Sequence, residues 1–284
     1  MLLLLLALTG TCQAQEDRAL AYLTGEVRRW KADNHCFSCH NNGDGVRALY
    51  IARQLGRKVD EEALRETEEW LKKPAAWKAA GANPGISDKV LAAVQFAAAL
   101  LQGRPSDRVA ISEAAEILIA DQQRDGSWKI DDLGSPATYG SGLATYMARS
   151  VLEAAKDERY AIPISKANSW FAALKSPNVP DVSAVVLAGR GDAVFLAGFQ
   201  NGDGGWGPWK NSPSEAFDTA IAILALRSAS KAPEAVARGR AYLVRTQQTS
   251  GGWTETTRPS GGQSYAQHIS TTAWATIALL RTAP

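Results

Sequence analysis

Apolar residues recur along the chain at helical spacing, in two kinds of segment that alternate. One kind is apolar and alanine-rich all round, as in "TAIAILALRSA" from Thr219 and "TTAWATIALLRTA" from Thr271. The other carries charge, as in "EAVARGRAYLVRTQQ" from Glu234. A helix that is apolar on every side has to be buried on every side, whereas an amphipathic one can face water. The pattern therefore predicts helical hairpins whose second helices form an inner ring and whose first helices form an outer one. Six such pairs are expected: 17–30 with 46–55, 61–73 with 89–102, 109–122 with 138–155, 164–175 with 181–189, 192–200 with 215–229, and 233–248 with 270–282. Six hairpins can close on themselves as an all-α double ring, an (α/α)6 toroid, with the inner-helix N-termini and their turns at one mouth.

Three turns repeat: "ADQQRDGSW" from Ala120, "GFQNGDGGW" from Gly198 and "RTQQTSGGW" from Arg245. Each sets glutamine before a glycine-bearing turn that closes on tryptophan. With "FDTAIAILAL" after the second turn, these stretches resemble the repeat motifs of squalene-hopene cyclases and their relatives, over most of 110–280. The resemblance implies a toroid in which tryptophan and glutamine tie neighbouring helices together. On that reading Trp128, Trp206 and Trp253 are structural rather than a ligand box.

A cyclase of this family protonates an alkene with an acid from an Asp-x-Asp-Asp run inside a dry, aromatic-lined cavity. No such run is present, so cyclase activity is not expected. The pair Asp131-Asp132 reads as a solvated turn, and Asp88, Asp181 and Asp218, near inner-helix starts, read as helix caps. The chain also matches one toroid, without the second domain that helps enclose a triterpene in those cyclases.

The 284 residues carry 31 Lys and Arg against 29 Asp and Glu, with no basic run, which argues against a nucleic-acid partner. "MLLLLLALTGTCQAQ" reads as an export signal over residues 1–14, the remainder forming a single domain, 15–284. The run Leu2 to Leu8 is too short to span a membrane. Lipidation at Cys12 is the other reading of that cysteine. Periplasmic or other export leaves two cysteines, Cys36 and Cys39, in an oxidising compartment.

Both lie in "NHCFSCHNNGDG", Asn34 to Gly45, where the first hairpin lacks the glutamine-glycine-tryptophan turn. Four readings compete: a metal site using Cys36, Cys39, His40 and His268, a thioredoxin-like redox pair, a disulfide, and a c-type haem. Haem uses every residue, with Cys36 and Cys39 as thioethers and His40 as axial ligand. His268, expected just before the last inner helix, is the candidate sixth ligand, with iron held between His40 and His268. Met147 reads as core. The sequence thus predicts an exported toroid with covalent haem, acting in electron transfer with a redox partner or in binding a small apolar molecule. The alternative is a haem-free terpenoid-cyclase-like enzyme or binding module.

Overall fold

The computed structural model describes residues 2–79, 88–130, 139–258 and 263–283. Among these residues there are twelve α-helices and no strand, only two isolated β-bridges. The helices alternate as the sequence pattern requires. The outer set is α1 (Leu2–Asn34), α3 (Glu61–Leu71), α5 (Arg108–Asp121), α7 (Ala161–Ala173), α9 (Ala193–Ala197) and α11 (Pro233–Thr246). The inner set is α2 (Val46–Gln54), α4 (Lys89–Gly103), α6 (Gly140–Ala155), α8 (Val179–Leu187), α10 (Ala216–Ser228) and α12 (Tyr265–Arg281). Each inner helix packs on the next, and α12 packs back on α2, so the inner ring closes. The fold is the (α/α)6 toroid. Met147 is buried on α6 in the single large core, as expected.

The repeated turns explain why the ring holds. Each tryptophan is fully buried and its indole N–H donates ten residues back to the preceding outer helix: Trp128 to Leu118 O at 2.7 Å, Trp206 to Leu196 O at 3.0 Å, Trp253 to Leu243 O at 2.8 Å. The same residues' backbone N–H groups donate forward to Thr145, Thr219 and Thr272 Oγ1 on the following inner helix. The glutamines join one hairpin to the next. Gln122 Nε2 donates to its own turn at Gly126 O and to Pro163 O on α7, and Gln200 Nε2 to Gly204 O and Ala235 O on α11. Gln247 Nε2 donates to Gly251 O and, at 2.9 Å, to Gln15 O on α1. The last staple thereby ties the end of the chain to its first helix.

Gly126, Gly204 and Gly251 stand at φ +98°, +88° and +100°, and a Cβ on any of them would lie within 2.8 Å of backbone in the outer helix of the next hairpin. Only glycine combines that left-handed backbone with so close an approach. Ring closure is reinforced at Glu16, buried in α1, which pairs with Arg57 at 2.7 Å and with Arg240 of α11 at 3.5 Å.

Three details depart from the sequence reading. The last inner helix begins at Tyr265 rather than near Ser270, because Ser264 caps it by accepting from Gln267 N, and so His268 lies in its first turn. Asp88 caps α4 as expected, accepting from Leu91 N, but α8 is capped by Asn178, which holds Asp181 N at 2.7 Å. Asp218 is not a cap either; it is fully buried and paired with Arg258 at 3.0 Å. Asp131-Asp132 lies outside the described residues.

The closure glycine gives a direct test. Gly251→Ala meets both the positive φ and the Arg18 carbonyl at 2.5 Å, and is expected to cost about 1–3 kcal/mol or more. Gly25→Ala, exposed in the middle of α1 with nothing within 4 Å of the new methyl, should instead add about 0.5–1 kcal/mol. Chemical denaturation of the two variants checks the opposite signs.

Candidate active site at the ring centre

In the first hairpin a π-helical turn, Cys39–Gly45, replaces the tryptophan staple, and all seven of its residues are buried. Single π turns of this kind interrupt the regular hydrogen-bond ladder and turn side chains to unusual directions. Ser38 opens the turn by accepting from Asn41 N. Asn41 Nδ2 then donates to Glu26 O on α1 and to the Tyr265 hydroxyl on α12, and Asn42 Nδ2 to Thr67 Oγ1 on α3. The turn packs against α4 and α12, inside the inner ring. Gly43 lets it approach α4, since a Cβ there would sit 3.0 Å from Gln95 Cβ.

This turn delivers Asp44, fully buried, to the start of the inner helices. Its Oδ1 accepts from the Tyr139 hydroxyl at 2.6 Å and its Oδ2 from Gln95 Nε2 at 2.6 Å. Trp274 Nε1 donates to the Tyr139 oxygen at 2.9 Å. Tyr139, Phe217 and Trp274 form a fully buried aromatic triad with ring centroids 5.8–6.1 Å apart, and the Arg47 guanidinium lies over Trp274 at 4.3 Å. Beside them Gln95 Oε1 and Arg47 Nη1 are buried with no hydrogen-bond partner. Because a buried polar group without a partner is costly, such a cluster marks a place built for something other than packing.

The electrostatics at Asp44 are set by opposing causes. Burial pushes its carboxyl above the ordinary range, against Arg47 and the hydrogen bonds from Tyr139 and Gln95, which pull it down. Burial first, and the neighbouring Asp44 second, also drive the Tyr139 phenol well above its usual value, so it remains a donor. A second buried carboxyl, Asp218 in the first turn of α10, is pushed up to about 7, chiefly by burial and against the pull of Arg258. One of its oxygens, Oδ2, has no partner.

The residues singled out in the sequence fall in two separate places. His40 is buried, edge-on to Trp30 at 4.8 Å and to Tyr265 at 5.5 Å, with Nδ1 3.9 Å from Cys39 Sγ and Nε2 unpartnered. Burial lowers its pKa to about 4 and raises that of the Cys39 thiol to about 12, so both groups are neutral. Cys36 is half-buried, and both thiols are free. His268 instead meets Tyr22 at 5.8 Å, with Nδ1 3.2 Å from Glu255 Oε2.

His40 and His268 rest on different aromatic rings of α1. Their ring partners on α1, Tyr22 and Trp30, are eight residues apart, about 12 Å along a helix, whereas two imidazoles on one metal each sit about 2 Å from it. Among the described residues no group of three His, Cys, Asp or Glu side chains is arranged for a metal ion. Asp44 was missed in the sequence because it stands alone between two glycines, outside any acidic run. The signal that marks it is Gly-Asp-Gly running directly into an apolar inner helix.

No family model matches the chain. Among curated proteins it is similar to squalene-hopene cyclase of Bradyrhizobium diazoefficiens, 44% identical over 23% of this chain and 12% of that protein. It is also similar to drimenyl diphosphate synthases: that of Streptantibioticus cattleyicolor, 42% identical over 21% of this chain and 11% of that protein, and that of Streptomyces showdoensis, 29% over 51% and 32%. The chain thus spans a third or less of the length of these relatives. Among solved structures it resembles a variant of the type II terpene cyclase MstE from Scytonema in complex with geranylgeranyl dihydroxybenzoate. The TM-score is 0.61 at 16% identity, over 97% of this chain and 98% of that one. The likeness is one of fold: an α/α toroid like that of the type II terpene cyclases.

Asp218 predicts a pH signature. Unfolded aspartate titrates near 3.9 and the folded group near 7. Between these values the folded state holds a proton that the unfolded state has released. Stability from this group therefore falls as pH rises from about 4 to about 7, by up to about 1.4 kcal/mol per pH unit, and is flat above. Urea denaturation across that window should show a shallower decline in Asp218→Asn than in the wild type.

Proposed function

We propose that this chain binds a polyprenyl substrate in the ring centre and protonates it, Asp44 being the acid. The observation that carries this reading is a single buried carboxyl held by two donors beside an aromatic triad. Burial disfavours the charged form and keeps the proton on Asp44. Tyr139 and Gln95 hydrogen-bond to the carboxylate left behind, which makes the acid stronger at the moment of transfer. The proton forms a new C–H bond with the electron pair of a terminal C=C bond, leaving a tertiary carbocation. The faces of Trp274, Phe217 and Tyr139 attract such a cation, as aromatic faces do. A second C=C bond then closes the ring, and loss of a proton ends the sequence. The likeness to type II terpene cyclases supports the polyprenyl class. The missing Asp-x-Asp-Asp run is accommodated, because the acid sits in the first hairpin instead of in a run. No helix among the described residues is long and apolar enough to cross a membrane.

The assay is incubation with squalene, geranylgeranyl diphosphate and a geranylgeranyl phenol in D2O, with products analysed by mass spectrometry. A cyclised product carrying deuterium is expected. Its formation should fall about 100-fold or more in Asp44→Asn, the range for loss of a general acid, and less in Tyr139→Phe. Turnover undiminished in Asp44→Asn, or saturable binding with no turnover, would overturn the catalytic reading; the second result would leave a binding module.

A further inference from the structure

Arg47, the second residue of α2, is the one charged group at the ring centre to which packing gives no role. It is half-buried, and its guanidinium lies over the face of Trp274 at 4.3 Å. A guanidinium carries five N–H donors in a fixed fork and stays charged inside proteins. Among the described residues Arg47 nevertheless donates no hydrogen bond and forms no ion pair, and its Nη1 is fully buried. Arginines elsewhere in the fold are matched. Arg53, on the same helix, pairs with Glu61 and Glu68, Arg240 with Glu16, and Arg258 with Asp218. A buried donor left without an acceptor is costly, and more so on a charged group.

The acid nearest to it in sequence is Asp44, three residues earlier. Gly45 and Val46 between them are helical, at φ −58° and −65°, and residues three apart on a helix share a face. The two groups already act on each other, since the Arg47 charge opposes burial in pulling the Asp44 carboxyl down. They do not form an ion pair, because Arg47 rests on Trp274, whose own N–H reaches Asp44 only through Tyr139. The other groups that face Asp44 are neutral. Tyr139, Gln95 of α4 and Ser270 of α12 are hydrogen-bond donors to it, and on its own turn the Cys39 thiol is pushed up to about 12 by burial.

Resting on the reading of Asp44 as the acid, we propose that Arg47 is the counter-ion that Asp44 acquires as it gives up its proton. While Asp44 holds the proton it is neutral, and Arg47 stays stacked on Trp274. When the proton bonds to the alkene carbon, a carboxylate is left in the buried ring centre beside a tertiary cation. Unmatched, that carboxylate takes the proton back, or bonds the cationic carbon through oxygen as an ester. Rotation about the arginine side-chain bonds brings the guanidinium onto the carboxylate, where charge-assisted hydrogen bonds form as the negative charge develops. An interaction that strengthens only then accelerates the step without tightening substrate binding. The resting position has a consequence of its own: with Arg47 over one face of Trp274, only the other face remains for the carbocation.

The test uses Arg47→Met, which keeps an unbranched side chain and removes the charge, and Arg47→Lys, which restores a cation. With a geranylgeranyl phenol as substrate, kcat is expected to fall roughly 10-fold or more in Arg47→Met with KM little changed, and to recover in part in Arg47→Lys. A second readout needs no substrate. In an Asp218→Asn background, the carboxylic-acid C=O band of Asp44 should persist to higher pH when Arg47→Met is added, because a cation that favours the carboxylate is gone. Chemical denaturation should find Arg47→Met as stable as the wild type or more so, since an unmatched buried cation has been removed. An infrared titration unchanged by Arg47→Met, or kcat unchanged in that variant, would overturn the proposal; a loss of stability alone would make the arginine a packing residue. If the wild type turns over no polyprenyl substrate, the functional reading fails by itself, and the infrared shift still decides whether Arg47 is the counter-ion of ionised Asp44.

Discussion

The structure depends on one repeated contact, the glutamine-glycine-tryptophan staple. Toroids of helical hairpins have no sheet to set register, so each hairpin must be told how far to turn relative to the next. The tryptophan N–H fixes the turn to its own outer helix and the glutamine amide fixes it to the outer helix that follows. The glycine allows the two backbones to meet at a distance no Cβ permits. Because Gln247 applies the same device to Gln15, on the first helix, the ring closes by the rule that builds it, and no special closing element is needed.

Closure decides the chemistry. It gathers the starts of the inner helices at the same end, which is where Asp44, Tyr139 and Asp218 stand, with Gln95 and Trp274 about two and two and a half turns into their helices. A carboxyl placed there loses water on all sides. Its state is then governed by the balance between burial, which favours the acid, and the donors that favour its conjugate base. At Asp44 both are strong, the combination that suits a group that must keep its proton at rest and release it to a weak acceptor. Asp218 shows the contrasting case. It has Arg258 as a direct ionic partner, and its buried pair with a segment leading into the last inner helix reads as structural.

Much of this architecture was legible in the sequence. The alternation of all-round apolar and amphipathic helices, together with three copies of the staple motif, specified the double ring and the order of its members, and boundaries agreed within a few residues except at Tyr265 and the long first helix. The centre was less legible, for a physical reason. Asp44 depends on partners 51 and 95 residues away, and locally only the apolar helix that follows distinguishes it from a solvated Gly-Asp-Gly turn. Asp218 likewise looked like a helix cap because Arg258 lies 40 residues on. Proximity of the first and last hairpins was correctly inferred, with His40 and His268 resting on Trp30 and Tyr22, eight residues apart on a 33-residue helix.

The first hairpin is one of three without the staple, and its π turn presents Asp44, fully buried, to the start of the inner helices. The central claim is that Asp44 there is protonated. Infrared difference spectroscopy at neutral pH tests it most directly. In an Asp218→Asn background, which removes the other buried carboxyl that is partly protonated at neutral pH, the account predicts a carboxylic-acid C=O band that disappears when Asp44→Asn is added. A band that survives loss of Asp44, or a spectrum with Asp44 ionised at neutral pH, would contradict it.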